Sequence, residues 1–347
     1  MRSTMDDSGP LLTMDDLTVN LQVAGAQHTV LEHVSFELRP GEARGLVGES
    51  GSGKSLTLRA MLGLLPPNAT VVSGLMEFDG QAFDLSQRSK SARRQLERVR
   101  GAGISMIFQE PSVALNPVIP VGEQIVDAVM RRDRMRRAEA RDYAIHLMRL
   151  VGIHDAEHTV DAYAFELSGG LKQRVMIAAA VAGRPKLILC DEPTTALDVT
   201  VQQQILSLFT HLRDELGAGV LYVTHDLAVV AQLCDSVTVL YSGNVMEASS
   251  DLRAVFEKPA HPYTEALLRS TPDVDRIGRR LYSIPGSAPA LGDRPPGCPF
   301  APRCEYREDD CEHERVPDTS PIDGREVHCL HPVRQDASSV RLAKESR

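Results

Sequence analysis

The eight residues Gly48-Glu49-Ser50-Gly51-Ser52-Gly53-Lys54-Ser55 carry the pattern G-x-x-x-x-G-K-S. They follow the apolar run Ala43 to Gly48 and precede a stretch of helical periodicity that starts at Leu56. In that setting Gly48, Gly51 and Gly53 let the backbone turn tightly, so that the N–H groups through Ser50 to Leu56 and the helix N-terminus face an anion. Lys54 would neutralise the β and γ oxygens of a nucleotide, and Ser55 would offer its hydroxyl to Mg²⁺. A second group is the run LILCDEP, which ends in Asp191 and Glu192. One carboxylate can hold the Mg²⁺ shell while its neighbour orients and deprotonates water. Adjacent strand residues point to opposite faces, so this division requires the strand to end between them. About twenty residues upstream, Ser168-Gly169-Gly170 opens another helix and offers a second anion-facing loop.

A third group lies in the tail, where Cys298, Cys304, Cys311 and Cys329 stand apart from Cys190 and Cys234. Cys190 and Cys234 sit in apolar contexts and read as inert core residues. Four thiolates suit a tetrahedral Zn²⁺ or an iron-sulfur cluster. Spacings of five, six and seventeen intervening residues fit neither a C-x-x-C zinc ribbon nor a ferredoxin run. His328 and His331 flank the last cysteine as substitute ligands.

These groups need a scaffold that brings distant segments together. Ala43–Gly48, Ile104–Gln109, Lys186–Glu192, Gly219–Asp226 and Ser236–Gly243 read as buried strands, which predicts an α/β fold with a largely parallel sheet. The early segments LTVNLQV and LEHVSFEL alternate apolar and polar residues, as a half-exposed antiparallel hairpin does. Between Pro111 and Ser168 apolar residues recur three and four apart, predicting a helical insertion. Composition then turns to Pro, Cys, His and charge. The domain reading is a core of residues 1–110 and 169–245, a helical subdomain at 111–168, and a C-terminal Cys-rich regulatory or docking domain at 246–347.

With 347 residues and 42% hydrophobic side chains the chain can bury a sizeable core. A net charge of -9 argues against nucleic acid as a main partner, because phosphate binding relies on Lys and Arg. The basic stretches RSKSARRQLERVR and RRDRMRRAEAR read as solvated helix surface. The N-terminus carries early acids and no apolar signal core, and no run approaches the ~18 apolar residues of a membrane helix. A cytosolic setting is expected, where a spaced cysteine set binds metal or reacts rather than forming disulfides.

With the phosphate loop, the Asp-Glu pair and the Ser-Gly-Gly loop in this order, the sequence resembles the ABC ATPases from Leu11 to about Gly243. The resemblance implies a P-loop, RecA-like core with an antiparallel β subdomain, and ATP hydrolysis. It makes Glu192 the general base and Asp191 the Mg²⁺-shell carboxylate. Gln109 becomes the Q-loop sensor and a Mg²⁺ contact, Ala196-Leu197-Asp198 the D-loop, and His225 the switch histidine. Ser168, Gly169 and Gly170 would serve the nucleotide of a second ATPase subunit across a head-to-tail dimer. The aromatic residue that the family stacks on adenine is missing, since Leu17 to Val34 holds no Phe, Tyr or Trp and Leu21 or Val23 takes its place.

QEPSVALNPVIPVGEQI, HPYTEALL and the tail IPGSAPAL to GCPFAPRC extend the resemblance to the ATPase subunits of dipeptide and oligopeptide importers. That family implies a second ATPase subunit, two membrane permeases and a solute-binding protein. It places the chain on the cytoplasmic face of the membrane, without direct contact with the peptide or with nucleic acid. For the four tail cysteines it favours a 4Fe-4S cluster, with Zn²⁺ as the alternative, in a site outside every nucleotide motif and therefore expected to serve stability or docking. A soluble ABC ATPase acting on nucleic acid or ribosomes is the competing reading. It normally needs two nucleotide-binding domains or a long coiled coil, and the sequence has neither.

Overall fold

The computed structural model describes residues 9–132, 135–195, 198–271, 282–314, 316 and 320–333. Ala196 and Leu197 of the D-loop reading and the N-terminal residues 1–8 lie outside the described residues.

Two sheets form the scaffold. Strands β1 (Leu12–Val23), β2 (Ala26–Leu38), β4 (Ala69–Phe78) and β5 (Gln81–Asp84) form an antiparallel sheet in the order β2-β1-β4-β5. The larger sheet runs β11-β12-β10-β9-β3-β8-β7-β6. Its parallel part consists of β3 (Ala43–Val47), β6 (Ile104–Ile107), β7 (Leu187–Asp191), β8 (Gly219–Thr224) and β9 (Ser236–Tyr241). These are the five runs read as strands. β10 (Asn244–Ser249), β11 (Ser320–Ile322) and β12 (Arg325–Val327) continue it antiparallel on one edge.

The parallel strands are buried throughout and largely apolar because both faces are covered. Successive residues point to opposite sides. Val220 and Tyr222 of β8 therefore join the core beneath the helical insertion, while Leu221 and Val223 join the core shared with the antiparallel sheet. The second core places Leu58 and Met61, from the helix Lys54–Met61, against Leu17, Leu31 and Leu46. That packing fixes the helix whose first turn bears Lys54.

The insertion is helical, with Val121–Arg132 and Arg137–Leu150 packed against the helix Gly169–Val181. Tight turns close the hairpins with both central residues at positive φ: Ala24-Gly25, Asp79-Gly80, Ser242-Gly243 and Asp323-Gly324. This is the turn geometry that matches strand twist. The tail is tied into the core sheet: β12 pairs with β10, with Glu247 opposite Val327. Residue 245, the end of the core in the sequence reading, lies within β10.

Candidate functional site

The phosphate loop leaves β3 at Val47 and enters its helix at Lys54. Gly53 stands at the helix N-cap in the left-handed region, φ 103°. A side chain at Gly48 is excluded, because a Cβ there would lie 2.0 Å from the Leu240 carbonyl oxygen. Lys54 is buried, and its ammonium donates to the carbonyl oxygens of Gly48 at 2.8 Å and Glu49 at 2.9 Å. Burial pulls it below the usual lysine range, opposed by the carboxylates of Glu192, Asp191 and Glu49.

Asp191 ends β7 next to β8, and its carboxylate accepts from the Ser55 hydroxyl at 2.6 Å. Residues 136 positions apart thus present two oxygens, the donor chemistry that Mg²⁺ prefers. Burial pushes the Asp191 carboxyl above its ordinary value, opposed by the bond from Ser55. The strand ends there, as the division of labour requires. Glu192 adopts φ 44°, a left-handed conformation that costs a residue with a Cβ roughly 1–2 kcal/mol. Its Oε2 accepts from the Thr195 hydroxyl at 2.9 Å and lies 3.3 Å from Nδ1 of His225, just past β8. Lys54, Ser55, Asp191, Glu192 and His225 therefore belong to one constellation.

Other candidate residues, Gln109, Ser168 and Asp198, are exposed. Gln109 is exposed, two residues beyond β6. Ser168 caps the helix Gly169–Val181 by accepting from Leu171 N–H at 3.3 Å, and Asp198 caps Val199–Leu216 by accepting from Val201 N–H at 2.9 Å. A Cβ on Gly170 would lie 3.7 Å from Val201, so the two helix starts are neighbours. Phe165 and Val199, beside these caps, are 69% and 75% exposed.

Leu21 pairs with His28 and Val23 with Ala26 across the β1–β2 hairpin, so neither faces a Phe, Tyr or Trp in its own strand pair. His28 instead stands against Gly292 of the tail, where a Cβ would meet its ring at 2.9 Å.

The four tail cysteines line one small cavity with His261 and Phe300. Cys298, Cys311 and Cys329 are buried and Cys304 is half-buried. Burial pushes the Cys298 thiol up to about 11 and the Cys329 thiol up to about 12, and Cys298, Cys304 and Cys311 all oppose ionisation of Cys329. Cys190 and Cys234 are core residues whose thiols burial also raises. Both flanking histidines are engaged by carboxylates, His328 with Glu326 and His331 with Asp310, each at 2.8 Å.

The tail does not stand apart from the nucleotide motifs. Arg303, next to Cys304, makes a bidentate pair with Glu49 of the phosphate loop at 2.6 and 3.0 Å. The Glu49 N–H donates to the Tyr263 hydroxyl at 2.8 Å. Tyr263, Tyr241 and Phe300 form a buried aromatic cluster with ring centroids 4.6 to 5.3 Å apart. A second tail arginine, Arg294, donates to the Val30 carbonyl and the Ser242 hydroxyl. Sequence reasoning missed these links: Arg303 lies 254 residues from Glu49, and no spacing rule connects them.

The family profile described as ABC transporter matches residues 31–195, and that described as oligopeptide/dipeptide transporter, C-terminal region, matches residues 248–311. The dipeptide transport ATP-binding protein DppD of Escherichia coli K12 is 42% identical over 93% of this chain and 97% of its own length. The oligopeptide transport ATP-binding protein OppD of the same organism is 41% identical, over 94% of each chain. Among solved structures, the ATP-binding cassette MJ0796, a dimer in a post-hydrolysis state bound to ADP and Pi, is similar with a TM-score of 0.60. It is 26% identical and covers 69% of this chain and 97% of its own.

Proposed function

This chain belongs to the ABC transporter family, in its dipeptide and oligopeptide ATP-binding branch, and from that membership we infer that it hydrolyses ATP to power peptide import. The observation that carries the reading is the constellation around Lys54, where the Ser55–Asp191 contact and the Glu192–His225 pair meet.

The loop amides and Lys54 bind and orient the triphosphate. Ser55, Asp191 and Gln109 would hold Mg²⁺, which supplies positive charge against the phosphate oxygens. Glu192 accepts the proton of the attacking water, and His225 and Thr195 hold its carboxylate in place. Ser168, Gly169 and Gly170 act on the nucleotide of a second ATPase subunit, and Asp198 belongs to the same face. Exposed Phe165 and Val199 support this, since large apolar side chains beside two helix caps suit a surface that a partner covers. Val113 and Val118, 79% and 78% exposed between Gln109 and the helix Val121–Arg132, support docking of the insertion to membrane permeases. No helix among the described residues is long and apolar enough to cross a membrane, so attachment to its cytoplasmic face would rest on those partners. A solute-binding protein would deliver the peptide to the permeases.

The tail thiols fit an iron-sulfur cluster better than a single ion. Zn–S bonds of about 2.3 Å draw ligand atoms close together. Among the described residues the one ligand set lying within 4.8 Å of one another is Asp310, Cys311 and His331, so the four thiols are not drawn together as the ligands of a single zinc ion would be. Cys298, Cys304, Cys311 and Cys329 would hold a 4Fe-4S cluster, which supplies a cross-link to a segment too short to hold itself by burial.

The test is reconstitution with the permeases, the second ATPase subunit and the solute-binding protein in vesicles. ATP-dependent peptide uptake that Lys54→Ala abolishes is the expected result. Hydrolysis stimulated by nucleic acid or ribosomes, without uptake, would overturn the reading.

A further inference from the structure

The tail's grip on the phosphate loop has the form of a control point. Arg303 is 8% exposed, and its guanidinium donates to both Glu49 carboxylate oxygens, to the Tyr241 hydroxyl at 3.1 Å and to the Pro285 carbonyl at 2.8 Å. Planar bidentate pairing fixes orientation as well as distance, which a flexible lysine ammonium cannot reproduce. The loop is held by the same residue on its main chain, through Glu49 N–H and Tyr263. Glu49 lies between Gly48 and Ser50, and its carbonyl is one of the two that hold the Lys54 ammonium. On the tail side, Arg303 closes the short helical turn Ala301–Arg303, whose next residue is Cys304 and whose preceding residue is Phe300 of the aromatic cluster. A few bonds therefore connect the cysteine-lined cavity to the Lys54 ammonium.

We propose that Arg303 is a positioning residue for nucleotide binding, through which the order of the cysteine-bearing segment and the conformation of the phosphate loop are reciprocally coupled. The proposal rests on the nucleotide-binding reading of Lys54. Whatever orders residues 298–304 presents Arg303 to Glu49 and holds the loop open toward the phosphates. By linkage, nucleotide in the loop must order the tail segment to the same degree. Arg294, bonded to Val30 and to Ser242 beside Gly243, supports the loop from its other side, since Gly243 N–H donates to the Ser52 carbonyl at 2.9 Å.

The experiment uses the full chain and two readouts: affinity for a fluorescent ATP analogue with Mg²⁺, and amide hydrogen exchange. Arg303→Gln and Glu49→Gln are each expected to weaken the analogue roughly ten- to hundredfold, the usual span of such couplings, and the double variant no further. Arg303→Lys, keeping the charge but losing the fork, should recover only part of the loss. In the unsubstituted chain Mg-ATP should slow exchange at residues 298–304, and in Arg303→Gln that protection should vanish. Folded Arg303→Gln with unchanged affinity and undiminished protection would reduce Arg303 to a structural strut and overturn the proposal. Additive losses in the double variant would overturn it too. Lys54→Ala separates the two readings: unchanged analogue binding there would defeat the nucleotide site itself rather than the coupling. Should Arg303→Gln fail to fold, Glu49→Gln on the loop side carries both readouts alone.

Discussion

The phosphate loop and the cysteine tail are both short, turn-rich segments that cannot stabilise themselves by burial, yet they are encoded in opposite ways. Lys54 bonds to carbonyls five and six residues away, and the glycines that allow this stand within the same eight positions. Arg303 bonds across 254 residues, and Cys298 and Cys329 reach a common cavity through a chain that first adds two strands to the core sheet. Chemistry held in local backbone geometry leaves a spacing in the sequence, whereas chemistry held in docking leaves only residue types.

The contrast breaks first if the reaction does not belong to the local motifs. Glu192→Gln should leave ATP binding intact while lowering hydrolysis about 10²–10⁴-fold, the worth of a positioned general base. Steady-state turnover beside equilibrium binding measures both. Near-normal turnover would move the base elsewhere and leave the φ 44° strain at Glu192 without a purpose.

Ser168→Arg sharpens the role of the second loop. Ser168 bonds within its own helix start and not to the Lys54 constellation, as the proposed role on a second subunit's nucleotide requires. Bulk and charge there should lower hydrolysis in the assembled complex by about 10²–10³-fold, on the scale of losing a transition-state donor, with this chain's own ATP affinity kept. Loss of affinity in the isolated chain, with normal hydrolysis at the partner's site, would reverse the assignment.

Cys304→Ser turns to the tail. Anaerobically purified protein is expected to be brown with about four iron atoms and four sulfides per chain, and the substitution should remove the colour. Because the neighbouring Arg303 holds Glu49, nucleotide affinity should fall by about tenfold rather than stay intact. Zinc in place of iron would remove the cluster and keep the cross-link. A metal-free, ordered tail with all four thiols open to alkylation would remove both.

How much was legible follows the same division. The five parallel strands were readable because burial on both faces makes them largely apolar runs, and β7 ends between Asp191 and Glu192 as two separate jobs demand. β4 and β5 are half-exposed and form no continuous apolar run, so only Asp79-Gly80, a strong short hairpin signal, marks the pair. β11 and β12 carry three residues each and no alternation long enough to detect, so nothing local announced that the tail joins the sheet. That the tail touches the phosphate loop left no sign in the sequence, because Arg303 and Tyr263 gain meaning only once Glu49 is beside them.

The smallest effect concerns the base. A stacking ring contributes about 1–3 kcal/mol to a bound base, and because every base has a π face that contribution is tolerant of base identity. Leu21 has no such face, and the ring of its cross-strand neighbour His28 lies beside Gly292. Two consequences are separable. The unsubstituted chain should discriminate only modestly between ATP and GTP, and Leu21→Phe should tighten both by a similar factor, about 1 kcal/mol because the position is only half-buried. Competition of ATP and GTP against the fluorescent analogue reads both. An ATP preference above about a hundredfold, or a gain confined to ATP, would mean that hydrogen bonding reads the base edge, since stacking alone cannot produce so sharp a choice.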